Sequence, residues 1–89
     1  MLSDVSYLLV DSGSTCPSGS HRVSTLSECS RAAATVGLQD TIAVDDYQDG
    51  VDSDPPYCYF EDGSLKFNSN GLNTGSCTAS DKCLCRIGK

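Results

Sequence analysis

The chain has 89 residues and a net charge of −6, because 12 Asp and Glu residues outnumber 6 Lys and Arg residues. This length predicts one domain spanning residues 1–89, and an acidic chain is not attracted to phosphate backbones, which excludes nucleic acid as an expected partner. Leu, Ile, Val and Phe supply only 18 of the 89 residues, about 20%. That proportion is at the lower limit for a stable apolar core.

Six cysteines are the feature that compensates for this thin core. An even number of cysteines in so short a chain predicts disulfides and an extracellular or cell-surface location. A structural zinc site would need thiolate pairs spaced as Cys-x-x-Cys, whereas only Cys83 and Cys85 lie close together. We therefore expect no cofactor apart from the calcium considered below. The cysteines are Cys16, Cys29, Cys58, Cys77, Cys83 and Cys85.

The first predicted element is a strand over residues 5–10, where β-branched and aromatic residues precede a turn-rich segment. Its apolar run, from Tyr7 to Val10, is too short for a secretory signal or a membrane span. No membrane insertion is expected. A strand of this kind could instead pair with the sheet edge of another copy, so self-assembly through Tyr7 to Val10 is one predicted interaction.

One helix is predicted over residues 26–36. Thr25 and Glu28 form a capping box, in which the Thr25 hydroxyl accepts from the Glu28 amide and the Glu28 carboxylate accepts from the Thr25 amide. Gly37 stands where a left-handed C-terminal cap is favoured. Apolar residues recur at helical spacing and predict the buried face. That face consists of Leu26, Cys29, Ala33 and Val36.

Six of the ten aspartates fall between Asp40 and Asp54, after a predicted short strand over residues 41–44. Carboxylates clustered around a glycine are typical of calcium loops. An EF-hand is excluded, because Tyr47 occupies its third position and Pro56 its last. A different calcium loop and a solvated acidic loop held by turns both stay open. The candidate calcium ligands are Asp45, Asp49, Asp52 and Asp54.

A hairpin is predicted over residues 57–68, because Asp62 and Gly63 between two apolar runs are a strong turn signal. Alternation places Cys58 and Phe60 on one face of the first strand and Tyr57 and Tyr59 on the other. Leu65 and Phe67 are predicted to point inward, and residues 82–87 form a final strand. The predicted fold class is α+β: one helix on a short antiparallel sheet, stabilised by disulfides.

The predicted faces also favour one set of disulfides. Cys29 is on the buried face of the helix and Cys58 is on the inner face of the hairpin, so these two are expected to pair. Cys83 and Cys85 point the same way on a strand and are poorly placed to bond to each other. Cys77 is close to Cys83, which leaves Cys16 for Cys85. Six cysteines allow 15 pairings, so other sets stay open.

The outer face of the hairpin is the predicted binding surface. Exposed aromatic rings beside amide side chains can stack on sugars and hydrogen-bond their hydroxyls. The alternatives are a protein interface, or a second layer, formed by the N-terminal strand or the acidic loop, that covers the tyrosines. The candidate ligand-binding residues are Tyr57, Tyr59, Lys66, Asn68 and Asn70.

Catalysis is not predicted. A hydrolytic triad needs a buried, oriented base and an oxyanion site, whereas His21 is the one histidine and lies in a polar loop beside Arg22. We expect a non-enzymatic module that binds a glycan or a surface protein. The alternative is a structural subunit of an extracellular filament, a coat or a multi-module surface protein.

Four patterns in the C-terminal third stand out as a set: Pro-Pro-Tyr-Cys-Tyr at residues 55–59, Leu-Lys-Phe-Asn-Ser-Asn at 65–70, Asn-Thr-Gly-Ser-Cys at 73–77 and Cys-Leu-Cys at 83–85. Together they resemble a cysteine-rich module that is repeated in predicted surface proteins of dinoflagellates and other marine algae. The resemblance implies an extracellular module within a larger protein and assigns no chemistry to any residue. The layout of helix and cysteines is also loosely similar to PAN/apple domains, which bind proteins and sugars.

Overall fold

The structure is a computed structural model and describes residues 6–87. Within that range one helix lies against a mixed sheet, so the predicted α+β, disulfide-rich fold class is confirmed. The predicted first strand also included Val5, which lies outside the described residues. The elements are β1 (Ser6–Val10), β2 (His21–Arg22), α1 (Leu26–Val36), β3 (Val44–Asp45), β4 (Tyr57–Glu61), β5 (Ser64–Asn68) and β6 (Asp81–Ile87).

The strand order is β1-β6-β4-β5-β3, and β2 also pairs with β6. Neighbouring strands are antiparallel except β3 and β5, which are parallel, so the prediction of a wholly antiparallel sheet was wrong at this edge. The strand predicted over residues 41–44 is shorter in the structure and begins only at Val44, as β3. The amides before Val44 are occupied by side chains, because Ile42 N donates to Asp40 Oδ1 (3.1 Å) and Ala43 N donates to Ser30 Oγ (2.9 Å). These amides are therefore not free for a strand ladder.

Helix α1 has the predicted bounds and the predicted ends. Thr25 is the N-cap and accepts from Glu28 N (3.2 Å), and Gly37 ends the helix with φ 83°. The other half of the predicted capping box was wrong. Glu28 Oε2 instead accepts from the Tyr7 hydroxyl (2.9 Å) and lies 3.7 Å from Arg86 Nη1, so this carboxylate ties the helix to β1 and β6.

The predicted buried face of the helix was also wrong at Leu26. Leu26 is 45% exposed, whereas the helix buries Cys29, Ala32 and Ala33. Side chains tilt toward the N-terminus of a helix, so Leu26, as the first helical residue, projects past the packed surface. Within residues 6–87, no helix has the length and apolar character that crossing a membrane requires.

The sheet has an apolar layer on each face. The first lies beneath the helix and the second is rich in sulfur. On β6, Leu84 belongs to the helix layer while Cys83 and Cys85 belong to the opposite layer, as strand alternation requires. The helix layer contains Val23, Cys29, Ala32, Ala33, Ala43, Cys58, Leu65, Phe67 and Leu84. The opposite layer contains Cys77, Cys83 and Cys85, with Leu8, Val10 and Cys16 packed beside them.

Three disulfides join Cys16 to Cys85, Cys29 to Cys58 and Cys77 to Cys83. These are the pairs that the sequence favoured. Their sequence separations are 69, 29 and 6 residues. By loop-closure entropy, the longest link contributes roughly 4 kcal/mol of stability and the shortest roughly 2 kcal/mol. Because two of the three links end on β6, this strand is covalently fixed to the N-terminal loop and to the segment before it.

Candidate functional site

Tyr59 does not lie on an exposed surface, so the predicted binding face was wrong at this residue. Its side chain is 0% exposed, and its hydroxyl donates to Asp46 Oδ2 at 2.7 Å. The covering layer is the acidic segment, residues 45–54, which folds over the sheet face opposite the helix. Burial and the hydrogen bond to Asp46 raise the pKa of Tyr59 far above its usual range. Tyr59 is therefore a permanent donor in a buried network.

Tyr57 does not share a face with Tyr59. Its φ of 64° breaks the strand alternation. The Tyr57 ring is half-buried, packs against Phe67 with ring centroids 6.3 Å apart, and lies 5.6 Å from the Arg22 guanidinium carbon. Gly71 makes room for it, because a Cβ at that position would collide with the Tyr57 ring. Tyr57 therefore has a packing role, and the two tyrosines do not form one binding surface.

The predicted binding residues Asn68 and Asn70 hold the acidic segment in place. Asn68 is fully buried, and its Nδ2 donates to Asp46 Oδ1 (3.2 Å) and to the Gln48 carbonyl (3.1 Å). Asn70 Nδ2 donates to Asp49 Oδ1 (3.1 Å) and to the same carbonyl (3.3 Å). A buried amide with all its bonds made specifies one loop conformation.

Asn73 is a third amide in this network, and its role was not predicted from the sequence. It is 3% exposed. Its Nδ2 donates to Gln48 Oε1 (2.9 Å), and its Oδ1 accepts from Val51 N (2.9 Å). Asn68 Oδ1 in turn accepts from Asn73 N (3.1 Å). The network therefore ties the acidic segment to the loop that follows β5.

A cleft of about 340 Å³ opens beside the parallel pair of β3 and β5. Lys66 is the one predicted ligand-binding residue on its wall. The sequence missed most of the other lining residues, because the pairing of β3 with β5 brings together segments about 20 residues apart and has no local signal. The cleft is lined by Asp40, Val44, Asp45, Asp46, Gln48, Ser64, Leu65 and Lys66.

The cleft carboxylates are held in fixed positions by donors from the protein. Asp40 accepts from Leu65 N (2.9 Å) and Ile42 N (3.1 Å), and these two bonds hold its pKa below the usual range. Asp45 accepts from Tyr47 N (2.9 Å) and from the Ser69 hydroxyl (2.8 Å). A carboxylate has about four acceptor sites, so each retains capacity for a ligand hydroxyl.

The four predicted calcium ligands do not converge. Asp45 and Asp49 are engaged with neighbouring donors, as described above, and Asp52 is exposed. Asp54 is buried, at 6% exposure, and its partners are two carboxylates that the sequence did not single out. The predicted set does not form one site within residues 6–87, because Ser69 and Asn70 hold Asp45 and Asp49 while Asp54 lies beside Glu61 and Asp81.

The carboxylates of Asp54, Glu61 and Asp81 form what we call the acid cluster, with ligand oxygens all within 4.8 Å of one another. Glu61 and Asp81 lie directly opposite each other on β4 and β6. Lys66 Nζ donates to Glu61 Oε1 at 2.9 Å, which lowers the pKa of Glu61. Burial and the neighbouring Glu61 carboxylate raise the pKa of Asp81 to about 6. The cluster therefore concentrates negative charge around one ammonium group.

Compared with known proteins, the chain matches no family model, no curated protein and no solved structure. The resemblance to an algal surface module stays a prediction.

Replacing Asp81 with Asn should stabilise the protein at pH 7.5 in metal-free buffer. The native pKa of Asp81 is about 6 and its unperturbed value is 3.8, so the native state binds the extra proton between these values and loses stability as the pH rises through 6. We expect Asp81→Asn to raise the unfolding free energy by roughly 1 kcal/mol at pH 7.5, after allowing for solvent screening. The gain should vanish near pH 4.

Urea denaturation at both pH values, with EDTA present, measures this difference. Asp11→Asn is the matched control, because Asp11 is exposed in the turn-rich segment after β1 and is not among the charges that raise the pKa of Asp81. A gain of equal size at both pH values, or a wild type that is the more stable at pH 7.5, would contradict the charge repulsion assigned to Asp81.

Proposed function

We propose that this protein is a non-catalytic, secreted or cell-surface module that binds a glycan in the cleft beside β3 and β5. The observation that carries the proposal is the set of fixed polar groups on the cleft wall. The three disulfides are compatible with an oxidising extracellular location. A protein ligand at the same cleft is the alternative occupant.

The chemistry of the cleft suits a sugar, whose hydroxyls donate and accept and whose C–H faces are apolar. Asp40 and Asp45 supply acceptors that are already oriented. Lys66 supplies donors, and Gln48 Nε2 has no acceptor among residues 6–87, so it is free to bond a ligand oxygen. Val44, 57% exposed, gives the wall an apolar part. The volume is near the lower end of the range for small-ligand pockets.

The lowered pKa of Asp40 favours binding over hydrolysis in this cleft. Glycoside cleavage requires a carboxylic acid that keeps its proton near neutral pH, which in turn requires a raised pKa. The pKa of Asp40 is lowered by two backbone amides. Asp81, whose pKa is raised, belongs to the acid cluster and is not among the lining residues.

Glycan-array screening of the oxidised protein, followed by calorimetry on the strongest ligand, tests the proposal. Asp45→Asn and Lys66→Met each remove a charged contact while keeping most of the side-chain volume. We expect each to weaken binding by about tenfold, the effect of one lost charged hydrogen bond. Arg31→Met is the control, because Arg31 is exposed on α1 and outside the cleft.

Unchanged affinity in both cleft variants would place the ligand elsewhere. If protein with its native disulfides binds no glycan on the array, the glycan proposal is contradicted.

A second candidate function, a structural subunit, is favoured by the position of β1. This strand stands at one end of the strand order, and its residue Leu9 is 38% exposed. Such an edge presents backbone groups that can pair with a strand of a neighbouring copy. The Tyr7 to Val10 segment would then join modules in a filament or coat.

This second function predicts concentration-dependent polymers that a charge on the edge removes. Leu9→Lys should convert the polymers to monomers, because lysine on an edge strand opposes strand addition. Leu26→Lys is the control, since Leu26 is similarly exposed but lies on the helix. Sedimentation velocity and electron microscopy measure the outcome, and a wild type that stays monomeric at the highest concentrations would argue against this function.

A further inference from the structure

The acid cluster draws its three carboxylates from three different parts of the chain. Asp54 belongs to the acidic segment, Glu61 ends β4 and Asp81 begins β6. Their positions are well fixed. The Asp54 carbonyl accepts from Gly75 N (2.9 Å), and Asp81 N donates to Thr78 Oγ1 (3.0 Å) within the loop that the Cys77–Cys83 disulfide closes. The convergence is therefore built into the fold.

A second observation is that the cluster has one positive partner, Lys66, for three carboxylates. Asp54 is buried, at 6% exposure, and the hydrogen bond it accepts within residues 6–87 goes from Gly75 N to its backbone carbonyl rather than to its carboxylate. Asp81 Oδ1 is shielded from water and also has no partner in that range. Buried carboxylate oxygens without donors are costly. Lys66 contacts Glu61 alone, so one positive charge faces three carboxylates.

We propose that Asp54, Glu61 and Asp81 bind a calcium ion. Calcium–oxygen distances are about 2.3–2.6 Å, so oxygens on opposite sides of the ion lie about 5 Å apart. The separations of up to 4.8 Å between the cluster oxygens fit within one such shell. Lys66 occupies Glu61 Oε1 and leaves Glu61 Oε2 for the ion.

Calcium fits this site better than magnesium. Calcium accepts six to eight oxygens in a flexible arrangement, whereas magnesium demands near-octahedral geometry and retains several waters. The three carboxylates supply up to five oxygens beside the one bonded to Lys66, and water can complete the shell. The ion would link the end of the acidic segment to β4 and β6. This proposal is independent of the glycan proposal, since none of its three residues lines the cleft.

The test is calcium titration of the intact, oxidised 89-residue protein at pH 7.5 after EDTA treatment, followed by calorimetry and thermal unfolding. We expect saturable binding and a rise in the melting temperature of the wild type at millimolar CaCl₂. Asp81→Asn and Asp54→Asn should each weaken binding by about tenfold or more. Asp52→Asn, an exposed aspartate of the same segment, is the matched control and should bind as the wild type does.

Three results would overturn the proposal. They are no calcium response in the wild type, an equal response in wild type and Asp81→Asn, and a loss of response in Asp52→Asn alone. If Asp54→Asn does not fold, Asp81→Asn decides the matter, because its amide replaces a carboxylate that the apo protein holds at a cost. Failure of glycan binding with calcium binding intact would leave this proposal standing.

Discussion

The candidate site depends on the half-buried carboxylate of Asp46. Its two oxygens accept from the Tyr59 hydroxyl, from Asn68 Nδ2 and from the Gln48 amide. Hydrogen bonds to a charged group contribute roughly 1.5–3 kcal/mol each, and they draw the acidic segment onto the sheet face opposite the helix. Two features follow from this single attachment. The start of the segment becomes a wall of the cleft, and its end carries Asp54 into the acid cluster.

The polar network and the disulfides divide the same sheet face between them. Near β1 and β6 the face is covered by the two links that end at Cys83 and Cys85. Near β4 and β5 it is covered by the network around Asp46. A chain with few large apolar residues has no third layer of hydrophobic side chains to place there. Covalent links and satisfied amides therefore stand in for an apolar layer, and the helix layer keeps most of the aliphatic residues.

The helix and the hairpin could be predicted because each depends on local signals, and the favoured disulfide pairs followed from the faces predicted for these elements and from elimination. Thr25 and Gly37 mark the helix ends, Asp62 and Gly63 mark the turn, and alternation places Cys58. A cover over Tyr59 by the acidic loop was one open alternative, but local signals could not decide it, since its hydrogen bonds join residues 11 to 27 positions apart. The positive φ of Tyr57 also places its side chain on the sheet face opposite to the one that strand alternation predicts. Lys66 was predicted to point outward on its strand, and in the structure it lines the cleft.

Amide hydrogen exchange of Tyr59→Phe tests most directly whether the Asp46 network fixes the acidic segment. The Val51 amide, which donates to Asn73 Oδ1, should exchange roughly 10-fold to 100-fold faster in this variant, because a lost charged hydrogen bond lowers the local opening free energy. The β6 amides should keep their protection. Tyr47→Phe, at an 88% exposed tyrosine of the same segment, should exchange as the wild type does. Unchanged protection of Val51 in Tyr59→Phe would contradict the account.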